Sequence, residues 1–168
     1  MPDAHGLVLI GEIRGELGQS LWLREICHRE EGAPPHVDLV AERRNGDFVR
    51  GQIEAGAVTA CHDIADGGLL VTIAEMVMAG DVGCTLNPPP SNLPLHAFWF
   101  GEDQACYVVA TPDAQKLIAA AEKAHVPARK LGRSGGTSLN LADGISLEAS
   151  RLRKINAAFF PKFMGEEV

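Results

Sequence analysis

The 168-residue chain predicts an α+β fold of the α/β layered type, a mixed sheet of about five or six strands covered by helices. Three observations carry that expectation. Short apolar runs with β-branched members alternate with stretches of helical spacing. Near the end, Gly135-Gly136 and Asp143-Gly144 read as tight turns, which join antiparallel strands. In the middle, Thr59-Ala-Cys-His-Asp-Ile-Ala-Asp-Gly-Gly-Leu69 reads as a strand, a polar turn and a helix start, a junction where open sheets commonly place ligands.

Taken in order, Leu7–Ile10 is all apolar and predicts a buried strand entering the glycine-rich stretch Gly11–Gly18. Leu21, Trp22 and Ile26 then recur at helical spacing, for a helix reaching about Arg29. Pro34 and Pro35 suit a helix's first turn, so a helix is expected from Pro35 to Ala55, with Val37, Val40, Phe48, Val49 and Ile53 facing inward and Asn45-Gly46 as its weak point. Its Arg43, Arg44 and Arg50 are expected to be solvated or paired with Glu42 and Asp47. The strand Ala57–Cys61 and the helix Leu69–Ala79 follow, Gly80 ending the latter. Val82–Leu86 reads as a strand and Asn87–Pro94 as a loop, its prolines excluding regular structure. Leu95–Phe100 reads as a helical turn, Cys106–Ala110 as a strand and Asp113–Ala124 as a helix. Ala128–Gly132, Ser138–Leu141 and Ile145–Leu147 complete the strands, and a helix from Leu147 to Phe160 is expected to break at Pro161.

A chain of this length buries roughly 70% of its unfolded surface, enough for a single domain over residues 1–168. Its 46% hydrophobic and 22% charged residues are ordinary for a globular protein. The net charge of −7 argues against a general binder of nucleic acid or anionic membranes. No secretory leader or membrane-length apolar run is legible, so a cytoplasmic location is expected. The four cysteines form no C-x-x-C pair and are expected to be reduced. Cys61, Cys84 and Cys106 sit in or beside apolar runs, the setting of buried thiols.

The chemistry gathers at His62, Asp63, Asp66, Gly67 and Gly68. The glycines would offer backbone N–H groups to a phosphate at the helix start. The two carboxylates would accept from ribose hydroxyls, hold the loop, or touch a hydrated magnesium ion. The plainer alternative has Asp66 capping the helix and His62 packed in the sheet. A second turn, Gly101, Glu102 and Asp103, would face the same cleft or form a solvated strand entry. Gly15, Gly18 and Ser20 give a glycine-rich loop that either binds phosphate or only turns. The sequence names no metal ligand.

Four blocks carry a family resemblance: Gly11-Glu-Ile-Arg-Gly-Glu-Leu-Gly-Gln-Ser20, Ala41-Glu-Arg-Arg-Asn-Gly-Asp-Phe-Val-Arg50, Val58–Leu69 and Phe100-Gly-Glu-Asp-Gln104. Together with the ending Ile145–Met164, they resemble the carboxy-terminal part of phosphoribosylformylglycinamidine synthase, across nearly the whole chain. The resemblance implies the carboxy-terminal fold of aminoimidazole ribonucleotide synthase and its relatives. It also implies an activity of the full enzyme, which uses ATP and magnesium to activate formylglycinamide ribonucleotide for attack by glutamine-derived ammonia. The catalytic His and most magnesium ligands of that family belong to an upstream ATP-binding part, so no catalytic residue or bound cofactor is expected in this chain alone. The implied partners are that upstream part, a glutaminase subunit and a small bridging subunit. Three positions depart from the family pattern. Ala65 stands where a Ser is usual, Cys61 where a small aliphatic residue is usual, and Gln19 where Gly or Ala is frequent. The first weakens any hydroxyl-dependent role of the turn. The alternatives are a non-catalytic stand-alone interaction module of the same fold or a fragment of a relative such as aminoimidazole ribonucleotide synthase, selenophosphate synthetase or thiamine-phosphate kinase. Surface made to meet absent domains would favour self-association.

Overall fold

The computed structural model describes residues 1–90 and 92–165; Ser91, in the expected loop Asn87–Pro94, lies outside the described residues. Among the described residues, seven strands form one mixed sheet in the order β2-β4-β1-β5-β3-β6-β7. They are β1 (Gly6–Ile10), β2 (Ala60–Asp63), β3 (Cys84–Leu86), β4 (Tyr107–Thr111), β5 (Ala128–Ser134), β6 (Ser138–Asn140) and β7 (Ser146–Glu148). The helices are α1 (Leu39–Glu54), α2 (Gly68–Gly80), α3 (Leu95–Phe100), α4 (Ala114–Lys123) and α5 (Ala149–Phe163).

Strand β1 runs through the middle of the sheet, paired antiparallel with β4 and β5. Successive side chains of a strand point to opposite faces, and both faces of β1 are covered. Leu7 and Leu9 join Leu69, Ile73, Val77 and Phe98 under α2 and α3, with α5 beside them. Val8 and Ile10 join Val49, Leu117 and Ala121 under α1 and α4. A strand buried on both sides reads as a continuous apolar run, which is why it was legible.

Several expectations are corrected. Gly135-Gly136 does not close a hairpin: β3 lies between β5 and β6, and it pairs parallel with β6. Only the Asp143-Gly144 turn joins an antiparallel pair, β6 with β7. The expected helix from Leu21 to Arg29 is a π-helical turn over Trp22–Ile26 with no buried residue. Trp22 stacks instead on Phe100, with ring centroids 4.4 Å apart. Helix α1 starts four residues beyond Pro35, because Asp38 caps it by accepting from Val40 and Ala41 N–H at 2.9 and 3.1 Å. Val37 and Val40 are exposed, and the buried face is Asn45 and Val49. Strand β2 lies later than Ala57–Cys61, and the left-handed residue after α2 is Asp81 rather than Gly80. Helix α5 runs on through Pro161, closing with Met164 N–H on the Phe160 carbonyl at 2.9 Å.

Candidate functional site

Three loops meet at one end of the sheet: the glycine-rich stretch before the π-turn, the central turn before α2, and the acidic turn after α3. Their meeting is enforced by backbone that tolerates no Cβ. Gly68 has φ +73°, and a Cβ there would lie 2.7 Å from the Gly101 oxygen and the Phe100 carbonyl carbon. Gly101 in turn sits so close that its Cβ would be 2.8 Å from Gly15 Cα.

Two carboxylates lock this knot. Glu102 is 8% exposed, and its Oε1 accepts from Gly67 N–H and Leu21 N–H, both at 2.8 Å. Asp103 is 3% exposed and takes Arg14 N–H at 2.9 Å on Oδ1 and Gly15 N–H at 3.0 Å on Oδ2. Burial lifts the Asp103 carboxyl above its usual value, outweighing the backbone N–H groups that pull the other way. Helix α1 clips the end of the same turn: Glu42 accepts from Ala105 N–H at 2.6 Å, and Asn45 Nδ2 donates to the Ala105 carbonyl at 2.9 Å. That bond lets Asn45 sit buried in a helix, where it had looked like a weak point.

These contacts bear on four site expectations. The N–H groups of Gly67 and Gly68 are not offered to a ligand: the first bonds Glu102 and the second the Ala65 carbonyl at 3.0 Å. Asp66 does not cap α2, whose N-cap is the left-handed Gly67 with no side-chain bond. Gly15 gives its N–H to Asp103, and Ser20, 1% exposed, donates to the Leu17 carbonyl at 2.6 Å, so the glycine-rich loop is held from within. Glu102 and Asp103 are buried clamps rather than a solvated strand entry. A buried carboxylate bonded to backbone N–H groups takes the place an external anion would need.

The polar groups left at the surface are Asp63, with 68% of its side chain exposed, and Asp66, which is also exposed. His62 points elsewhere. Its Nδ1 lies 2.8 Å from the Asp63 carbonyl and its Nε2 3.1 Å from Glu75 Oε2 on α2. It lines a groove of about 630 Å³ between β2, α2 and α5 together with Cys61 and Glu75. Cys61 is exposed, contrary to expectation, because β2 is an edge strand. Cys84 and Cys106 are buried free thiols, each pushed up to about 12 by burial. Arg43 and Arg50 pair with Asp47 at 3.8 and 2.9 Å, as read from the sequence, whereas Glu42 is spent on Ala105. Spacing alone could not reveal the Glu42–Asn45 clip, since its partner lies on a distant loop.

Layered helices on a mixed sheet, with a loop knot at one sheet end, define the class: an α+β domain built to hold several loops in fixed relation. Residues 5–141 match the family described as AIR synthase related protein, C-terminal domain, and the chain belongs to that family. It is similar to the phosphoribosylformylglycinamidine synthase subunit PurL of Gluconobacter oxydans, 73% identical over 99% of this chain and 23% of the relative. The corresponding subunit of Acidiphilium cryptum is 60% identical over 95% of this chain and 22% of its own length. The chain thus spans under a quarter of the curated relatives it matches. The fold is also that of a solved Thermotoga maritima PurL complexed with FGAR: TM-score 0.72, 16% identity, 90% of this chain and 28% of that one. A PurLQS structure from the same organism gives TM-score 0.67 and 17% identity, over 90% of this chain and 26% of that one. Among the described residues, no helix is long and apolar enough to cross a membrane.

Proposed function

We propose that residues 1–168 serve as one domain of a phosphoribosylformylglycinamidine synthase. That enzyme would convert formylglycinamide ribonucleotide and glutamine-derived ammonia to the amidine at the expense of ATP, in the cytoplasm. The carrying observation is the 73% identity to a PurL subunit over 99% of the chain. It favours this reading over thiamine-monophosphate kinase, for which the Stenotrophomonas maltophilia structure shares the fold at TM-score 0.55 and only 15% identity.

ATP and magnesium belong to the rest of such an enzyme. The inward bonding of Gly15, Gly67 and Leu21 N–H fits that division, because those groups have no vacancy for a phosphate. Within the domain, Asp63 and Asp66 would reach a substrate's hydroxyls from the rim, while His62 is held by Glu75 in the adjoining groove. Gly67, Gly68, Glu102 and Asp103 act as positioning residues that hold that rim. The proposed partners are the ATP-binding remainder of the synthase, a glutaminase subunit and a small bridging subunit. The isolated chain is expected to hydrolyse no ATP.

The test is a chimera in which this chain replaces the segment it matches in the Gluconobacter oxydans subunit, introduced into a purine-requiring host. Growth without purine is the expected result, and failure of a well-expressed chimera would overturn the assignment. In the same chimera, Asp66→Ala with unchanged turnover and unchanged KM would remove Asp66 from the rim role.

A further inference from the structure

The second half of α5 leaves the body of the domain. Ile155, Phe159, Phe160, Phe163 and Met164 are between 61% and 75% exposed. Phe159 stacks on Phe163 at 6.0 Å and meets Phe160 edge-on at 5.3 Å, so the side chains form one patch. Aromatic side chains cover roughly 150–250 Å² each when buried, and an uncovered patch of several hundred Å² marks a partner site. Phe160 and Met164 follow Asn156 and Ala157 at helical spacing, and those two residues line the groove beside β2 and α2. The patch therefore prolongs a groove of about 630 Å³ that ends at an unpaired sheet edge.

Charge narrows the occupant. Helix α5 carries Arg151, Lys154 and Lys162, besides Arg153, which pairs with Asp81, and has no carboxylate of its own, in a chain of net charge −7. A second copy related by two-fold symmetry would set this cationic helix against itself. An anionic lipid surface would be repelled by the acidic remainder of the chain. In the relatives, by contrast, over three quarters of the polypeptide lies outside the matched segment. We infer that the α5 patch and its adjoining groove dock the remaining part of the same synthase, through an apolar ridge rimmed with Asp and Glu. The inference rests on the synthase reading and adds the surface by which the domain is held.

The experiment uses the Gluconobacter oxydans chimera and, separately, this chain mixed with that subunit lacking its matching segment. Phe159→Lys with Phe163→Lys should weaken association in sedimentation by about tenfold or more, while the chain's own melting temperature stays put. In the chimera the same pair should lower activity through loss of docking, restored by Phe159→Leu with Phe163→Leu. An active wild-type chimera whose Lys variant is equally active and equally stable would overturn the docking and leave the synthase reading standing. So would a concentration-dependent dimer of the chain, or binding to phosphatidylserine vesicles, that the Lys pair abolishes while the chimera is untouched. A dead wild-type chimera would sink the synthase reading, and the docking with it.

Discussion

At the loop knot, backbone donors and buried carboxylates are matched to one another: Glu102 takes two N–H groups and Asp103 two more. Along the second half of α5 the balance is reversed, with aromatic side chains more than half exposed and little of the chain to cover them. The first region is complete within 168 residues; the second is complete only with something else against it. The difference teaches where each kind of substitution should register. Changes at the knot should cost stability of the isolated domain, and changes on the outer α5 should cost association alone.

The largest effect is expected at Gly68. Gly68→Ala adds left-handed strain of about 1–2 kcal/mol and drives a Cβ into the Phe100–Gly101 backbone, for a total of about 4 kcal/mol in urea unfolding. Gly136→Ala is its control: φ is +71° there, but nothing lies within 4 Å of the added atom. A similar loss at both positions would show that close approach is not what the knot requires.

Next is Glu102→Ala, which strands Gly67 and Leu21 N–H and should cost about 3 kcal/mol. A loss below about 1 kcal/mol would mean that the clamp is not closed in solution. Asp103→Asn follows, at about 2 kcal/mol, since it places an amide NH₂ against a backbone N–H where an acceptor stood. Asp103 also predicts a pH dependence. Its carboxyl is lifted above the usual 3.8 by burial, so the native state holds that proton more tightly than the unfolded chain. Its stabilising contribution is then complete below 3.8 and lost as pH rises through the lifted value. Wild type minus Asp103→Asn, followed by urea midpoint, should fall with pH in the window just above 3.8; a rise there would contradict the assignment.

The smallest effect belongs to the other region. Phe163→Lys, on a side chain 75% exposed, should change the isolated chain's stability by no more than about 0.5 kcal/mol. A loss several times larger would show that the patch is covered by the domain itself.

Local pattern settled much of this molecule. The apolar run of β1, the helical spacing of α2 and α4, the short α3 after the prolines and the Arg43–Asp47–Arg50 pairing all follow from neighbours a few residues apart. Such patterns could also mark the polar turn as special, because His, Asp and paired Gly rarely gather without a demand on the backbone. They could not say what satisfies those residues. Glu102 lies 35 residues from Gly67 and 81 from Leu21, and Asp103 lies 89 from Arg14. Only packing reveals that these carboxylates turn inward and leave Asp63 and Asp66 outside.

The same division holds for the sheet and the last helix. A glycine pair announces that the chain turns, but β3 takes the place between β5 and β6, and that is decided by which apolar faces meet. Helical spacing announces α5, yet its first half packs on α2 while its second half stands clear, a matter of where the body of the domain ends. Sequence by itself determined the elements and their family, because hydrophobic period and backbone propensity act over a turn or two. Tertiary structure alone decided which polar groups are spent and which surface is left open, because burial and hydrogen-bond partners are properties of distant segments brought together.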